Sequence, residues 1–117
     1  MTGAAGGHPR HALDEVIHAP VRFSVMATLA SAEEAEFGFV RDGVQVSDSL
    51  LSKTVSALEK AGYVEVRKGY VGKRPRTWLR LSRQGRAAFG AHVAALRAIA
   101  DGALPPDAGA VVSAEPG

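Results

Sequence analysis

Leu13, Val16 and Ile17 fall on one face of a short helix, and Pro20 then breaks that pattern while suiting the first turn of a second helix. The second helix carries Val21, Val25, Met26 and Leu29 at helical spacing, and a third, short helix is predicted around Phe37 to Arg41, ending at Gly43. Ser47 is a good N-cap for the segment SDSLLSKTVSALEKAG, which divides into two faces. Leu51, Val55, Leu58 and Ala61 form the inward stripe, whereas Ser49, Ser52, Lys53, Ser56 and Lys60 lie away from it. Gly62 supplies a left-handed stop.

Beyond Gly62 the period shortens to two: Val64 and Val66 alternate with Glu65 and Arg67, then Leu79 and Leu81 alternate with Trp78 and Arg80. The intervening VGKRPR reads as a loop, so two antiparallel strands are expected around a basic tip. Ser82 caps a final helix from about Arg83 to Ala100, with Phe89, Val93, Leu96 and Ala100 on one stripe and Gly85 and Gly90 as interruptions. The predicted class is mostly α with a small antiparallel β-hairpin, an α+β arrangement in the order of a winged helix-turn-helix.

Length and composition add bounds to this pattern. A chain of 117 residues has room for one core. Residues 1–12 and 102–117 are rich in Gly, Ala and Pro without periodicity and are expected to be flexible tails, leaving a folded unit over residues 13–101. The chain has no cysteine, which removes disulfides, thiolate metal sites and cysteine nucleophiles. Its apolar runs are far below a membrane span and its start is unlike a signal peptide, so no membrane partner and a cytoplasmic location are expected.

The net charge of +2 conceals a strong asymmetry. Residues 53–86 carry ten basic and two acidic side chains, a balance of +8, against four basic and ten acidic elsewhere, a balance of −6. A local cationic segment suits a polyanion, because neutralising phosphates releases condensed counterions. A major groove about 12 Å wide admits one α-helix, and short polar side chains let its backbone approach the base edges. The candidate double-stranded DNA contacts are therefore Ser47, Ser49, Ser52, Lys53 and Ser56 on the helix, with Lys68, Lys73, Arg74 and Arg76 on the hairpin. Trp78 is expected to pack on helices beside the hairpin rather than stack on arginine stems.

The stretch LSKTVSALEKAGYVEVRKGYVGKRPRTWLRLSRQGRAAF resembles the core of the MarR-like winged-helix regulators, most specifically in LEKAGYVEVRK, GKRPRTWLRLS and QGRAAF. IHAPVRFSVMATL resembles the opening helices of that family. One departure is that small members often show Asn and His where this chain has Leu50 and Thr54, so base preference is not carried over. The resemblance implies a symmetric homodimer acting on promoters, here read as a repressor. Helices at both ends of the chain would form the interface, assigned to Leu13, Val16, Ile17, Phe89, Val93, Leu96 and Ala100. A small organic effector held between the DNA-binding and dimerisation helices is part of the same expectation, and His18 belongs to that region.

The other function classes find less in the sequence. His8, His11, His18 and His92 match no common ligand spacing, so no metal or other cofactor is expected. No nucleophile elbow, phosphate loop or metal motif is present, and the chain does not read as an enzyme. The alternative is a winged-helix adaptor that binds a protein or structured RNA, against which stands the basic tip, since protein interfaces centre on apolar anchors.

Overall fold

The inward stripes predicted from periodicity converge on one core. The structure, a computed structural model, describes residues 7–102. Within it Ile17, Val25, Met26, Leu29, Val40, Leu51, Leu58 and Leu79 are fully buried together. Five helices supply most of that core: α1 (Glu15–His18), α2 (Pro20–Ala30), α3 (Phe37–Val44), α4 (Asp48–Lys60) and α5 (Arg83–Ala100). The caps are those the sequence suggested. Ser47 Oγ accepts from the Leu50 N–H at 3.0 Å and Ser82 Oγ from the Gly85 N–H at 2.9 Å, satisfying donors that a helix start leaves open. Residues 9–12, expected in the N-terminal tail, form one turn of 3-10 helix, and the tail expected at 102–117 lies outside the described residues except for Gly102.

Three strands form one antiparallel sheet in the order β1 (Ala35–Glu36), β3 (Arg74–Leu81), β2 (Val64–Val71). The hairpin is longer and tighter than the sequence suggested: β2 and β3 pair from Val64↔Leu81 out to Val71↔Arg74, so Gly72 and Lys73 alone form the turn. Pro75 is tolerated inside β3 because β1 reaches only Trp78 and Leu79, leaving that edge of β3 open where the proline lacks its N–H. Strand β1 was not predicted; two residues are too few to show an alternation.

Three further differences have local causes. Helix α3 ends at Gln45 in the left-handed region (φ 63°) rather than at Gly43, because the helix has to continue far enough for Val44 to pack on the core. Ile17, assigned to a dimer face, is completely buried in this chain's own core. On α5 the buried residues are Gly85, His92 and Ala95, and of the predicted stripe Phe89 packs inward against this chain's own core.

A dense junction joins α4, the wing and the terminal helices. Gly62 (φ 85°) ends α4 as expected, and Tyr63 follows with its carbonyl accepting the Ser82 N–H at 2.9 Å. Ser82 Oγ in turn donates to the Gly62 carbonyl at 2.6 Å. Gly85 passes so close to this point that a methyl group on it would overlap the Tyr63 carbonyl. The Tyr63 hydroxyl donates to Asp14 Oδ2 at 2.6 Å, Asp14 Oδ1 caps α1 through the Val16 N–H, and the Asp14 N–H donates to His92 Nδ1 at 2.9 Å. One residue thus connects α1, α5 and the end of α4. Because His92 Nδ1 accepts, the neutral ring carries its proton on Nε2, which is buried and has no partner among the described residues. The ring lies edge-on to His18 and against Phe23, each with centroids 5.6 Å apart.

The two glycines of α5 predict opposite outcomes. Helix propensity favours Ala over Gly by about 1 kcal/mol, so Gly90→Ala, with nothing within 4 Å of the new methyl group, raises stability by up to that amount. At Gly85 the same gain is outweighed by overlap with backbone, where overpacking costs about 3 kcal/mol, and Gly85→Ala loses about 2 kcal/mol net in urea unfolding. Stability equal to the parent in both variants would disprove the close approach.

Burial, reinforced by His18 and opposed by Asp14, holds the His92 pKa below its ordinary value of 6.5. The folded state then binds fewer protons than the unfolded one, so this contribution is present above pH 6.5 and is lost as pH falls through the lowered value. The urea midpoint is expected to drop between pH 7 and pH 5, and to drop less in His92→Gln at the same protein concentration. An equal drop in both proteins would assign the pH dependence to other groups.

Candidate nucleic-acid interface

The two faces of α4 separate as the pattern required. Leu51, Thr54, Val55 and Leu58 are buried, while Ser49, Ser52, Lys53 and Ser56 are exposed, presenting short hydroxyls and one cation to solvent. Ser47 is also exposed, but its oxygen is occupied in capping the helix. Thr54 turns inward and donates to the Leu50 carbonyl at 2.8 Å, whereas Leu50 itself is partly exposed. Arg41, which the sequence reading did not single out, clamps the corner between α3 and α4 by contacts to Asp48 (2.9 Å) and Asp42 (2.8 Å). Asp42 is accordingly held below the usual carboxylate range by the Arg41 guanidinium. Nothing periodic marks a residue whose partner lies seven positions on across a turn.

The ten basic side chains of the cationic segment are not equivalent. Arg67 makes a two-pronged contact with Glu34 at 2.7 and 3.0 Å, Arg76 pairs with Glu36 at 3.1 Å and Arg80 with Glu65 at 2.8 Å. Arg86 donates to the carbonyls of Ala30 and Ala32. Glu34 is held below the usual carboxylate range by Arg67. These exposed pairs add little to stability because water screens them, but they remove positive charge from the base of the wing. Lys53, Lys60, Lys68, Lys73, Arg74 and Arg83 have no ion-pair partner among the described residues. Arg76, expected as a free cation at the tip, is therefore half-buried and already neutralised.

Trp78 also differs from expectation. The Arg67 guanidinium lies 4.1 Å from its ring centroid, so the indole stacks on an arginine stem instead of packing on a helix. The cause is strand register: Arg67 and Trp78 are directly paired across β2 and β3, on the side away from the core.

Between α4 and the wing runs an open groove of about 600 Å³. Ser52, Ser56 and Glu59 form its helix wall, Lys68 and Thr77 its wing wall, over a floor that includes Val55, Val66 and Leu79. Five of the predicted contacts, Ser49, Ser52, Lys53, Ser56 and Lys68, thus belong to this groove or the helix face beside it, and Lys73 and Arg74 extend from the tip. Glu59, counted from sequence only as an offset to the positive charge, stands in the groove itself.

Of the residues assigned to a dimer face, Leu13, Val16, Val93 and Leu96 are half-buried and Ala100 is exposed in the single chain. Phe89 is already engaged with Phe23, ring centroids 5.6 Å apart.

The winged helix DNA-binding domain family matches residues 21–100 of this chain. The chain is 28% identical over 75 residues to an uncharacterized protein of Methanocaldococcus jannaschii, covering 64% of this chain and 82% of that relative. Among solved structures, the fold is similar to a transcriptional regulator homologue from Pyrococcus horikoshii OT3, with a TM-score of 0.73 and 23% identity over 80% of this chain and 93% of that one. It is also similar to the PcaV transcriptional regulator from Streptomyces coelicolor in complex with its natural ligand, with a TM-score of 0.62 and 22% identity over 87% and 73% of the two chains.

The division between paired and unpaired cations predicts a difference between neighbouring arginines. Arg74→Ala should lower the slope of log affinity for duplex DNA against log salt by about one unit, the change for one lost phosphate contact. Arg76→Ala should change it much less, its charge being neutralised by Glu36. A salt titration on any duplex checks this, and equal slope changes would refute the distinction.

Proposed function

The chain belongs to the winged helix DNA-binding domain family, and from that premise we propose that it is a homodimeric transcriptional repressor that recognises a symmetric DNA site. The observation that carries the reading is the groove whose one wall is the polar face of α4 and whose other is the wing. With α4 in the major groove, Ser49, Ser52, Lys53 and Ser56 face base edges, and the groove receives one phosphodiester strand. Lys68 then meets its phosphates while Lys73 and Arg74 reach beyond it. Phosphate contacts supply affinity for any sequence and the helix supplies discrimination, so Ser47 acts mainly by holding the first turn of α4 in place.

The second subunit is assigned to the apolar side of α5 that this chain does not cover, around Val93, Leu96 and Ala100, with Leu13 and Val16 beside it. The PcaV regulator was solved with its natural ligand, and we carry a small organic effector to this chain by that likeness. Its place would be where α1, α2 and α5 meet around His18, Phe23 and His92. An effector there would act on the Asp14 contacts that join these helices to the end of α4.

The test is recovery of a preferred duplex from a random pool, followed by binding of variants to it and to a scrambled sequence. The recovered site should be an inverted repeat. Ser52→Ala and Lys53→Ala should each lose about 1 to 3 kcal/mol on it and much less on the scrambled duplex. Leu96→Asp should yield a folded monomer by light scattering, with weakened binding to the full site. Failure to prefer any duplex over a scrambled one would overturn the reading in favour of an adaptor.

A further inference from the structure

The wing tip carries, besides cations, two large apolar side chains with most of their surface in water: Tyr70 is 72% exposed and Val71 55%. Single exposed apolar side chains are ordinary on a protein surface, but these two stand next to each other in sequence, at a hairpin tip that also carries Lys73 and Arg74. Strand alternation places Tyr70 and its cross-strand partner Pro75 on the same sheet face as Lys68 and Thr77, and as Val66 and Leu79 below them. That is the face turned toward α4, since Val66, Lys68, Thr77 and Leu79 all line the groove shared with the helix. The ring therefore continues the line that runs from Ser52 and Ser56 across the groove to the wing. From Lys73 and Arg74 at the turn back to Lys68, the tip has no acidic residue.

We infer that Tyr70 is a specificity residue that seats its ring in the minor groove beside the site read by α4. The inference rests on the DNA-binding reading above and deepens it. If the groove between α4 and the wing holds one phosphodiester strand, the major groove lies on the helix side and the minor groove on the far side of that strand. Tyr70 lies two residues beyond Lys68 on the same face, about 7 Å farther out, which takes it past a phosphate held by Lys68. The minor groove, about 6 Å wide, is too narrow for the two-stranded ribbon but admits a single side chain projecting from its tip, as the Tyr70 ring does. A ring seated there would rest on sugar walls and base edges, a contact that the N2 amino group of guanine obstructs. Tyr70 thus selects A·T pairs at the flanks of the site, while Lys68 on the near strand and Lys73 and Arg74 on the far one hold the bordering phosphates whatever the sequence.

The experiment compares duplexes recovered from a random pool by the full-length protein and by Tyr70→Ser. The parent should recover A·T pairs at the outer flanks, and Tyr70→Ser the same central pairs without the flank preference. Replacing the flanking A·T pairs by inosine·cytosine, which keeps an A·T-like minor groove, should leave parent affinity unchanged. Replacement by G·C should weaken it by roughly tenfold, within the range for one unfavourable base pair in a site. Tyr70→Ser should bind both forms equally, and Tyr70→Phe should behave as the parent because the ring face makes the contact. The exposure of Tyr70 predicts an unchanged melting temperature in both variants, which separates contact from folding. Flank preference retained in Tyr70→Ser, or equal losses on inosine·cytosine and G·C, overturns the proposal while leaving the α4 reading intact. Failure of the parent to recover any sequence overturns both.

Discussion

The carbonyl of Tyr63 is the point on which the arrangement of the whole domain depends. It must accept the Ser82 N–H and also tolerate α5 at a separation that leaves no space for a side chain at position 85. These two demands set where the wing returns to the body and where α5 departs from it. The same residue's hydroxyl reaches Asp14, so the start of α1 is referenced to the same point. Helix α4, the hairpin and the two terminal helices thereby share one origin. Their relative angles are consequences of short backbone contacts rather than of the softer side-chain packing around them.

The second level of organisation is electrostatic. Arg67 and Arg76 reach back to Glu34 and Glu36 on the segment containing β1, and β1 pairs with β3, so the base of the wing is tied by both charge and backbone to the body. Beyond that base, no ion pair or further strand ties the tip to the body among the described residues. The hairpin is thus neutral where it is anchored and cationic where it is free, with the Arg67 and Trp78 stack marking the boundary.

Most of the helical framework was legible because each helix buries one stripe of a repeat that the sequence displays, and because Ser47 and Ser82 are strong caps. The polar face of α4 was legible for the same reason, being the complement of a clear inward stripe. Strand β1 was too short to show a period, and the end of α3 was decided by the need to bury Val44 rather than by the nearest glycine. The partition of the charges was invisible because the partners lie far apart in sequence, 33 residues for Arg67 and Glu34. A count along the chain treats every arginine as free, whereas the sheet brings Glu34, Glu36 and Glu65 to three of them. Trp78 followed the same rule, since its neighbour was set by cross-strand register.

The neutral base of the wing has a bearing on how fast such a molecule would find its site. Time spent at each random stretch of a genome grows with the number of phosphates gripped there, and that hold is released ion by ion. Three arginines paired with this chain's own carboxylates shorten each of these stops. A DNA-binding domain built this way, with fewer free charges than its sequence suggests, trades residence on any one stretch of DNA for mobility.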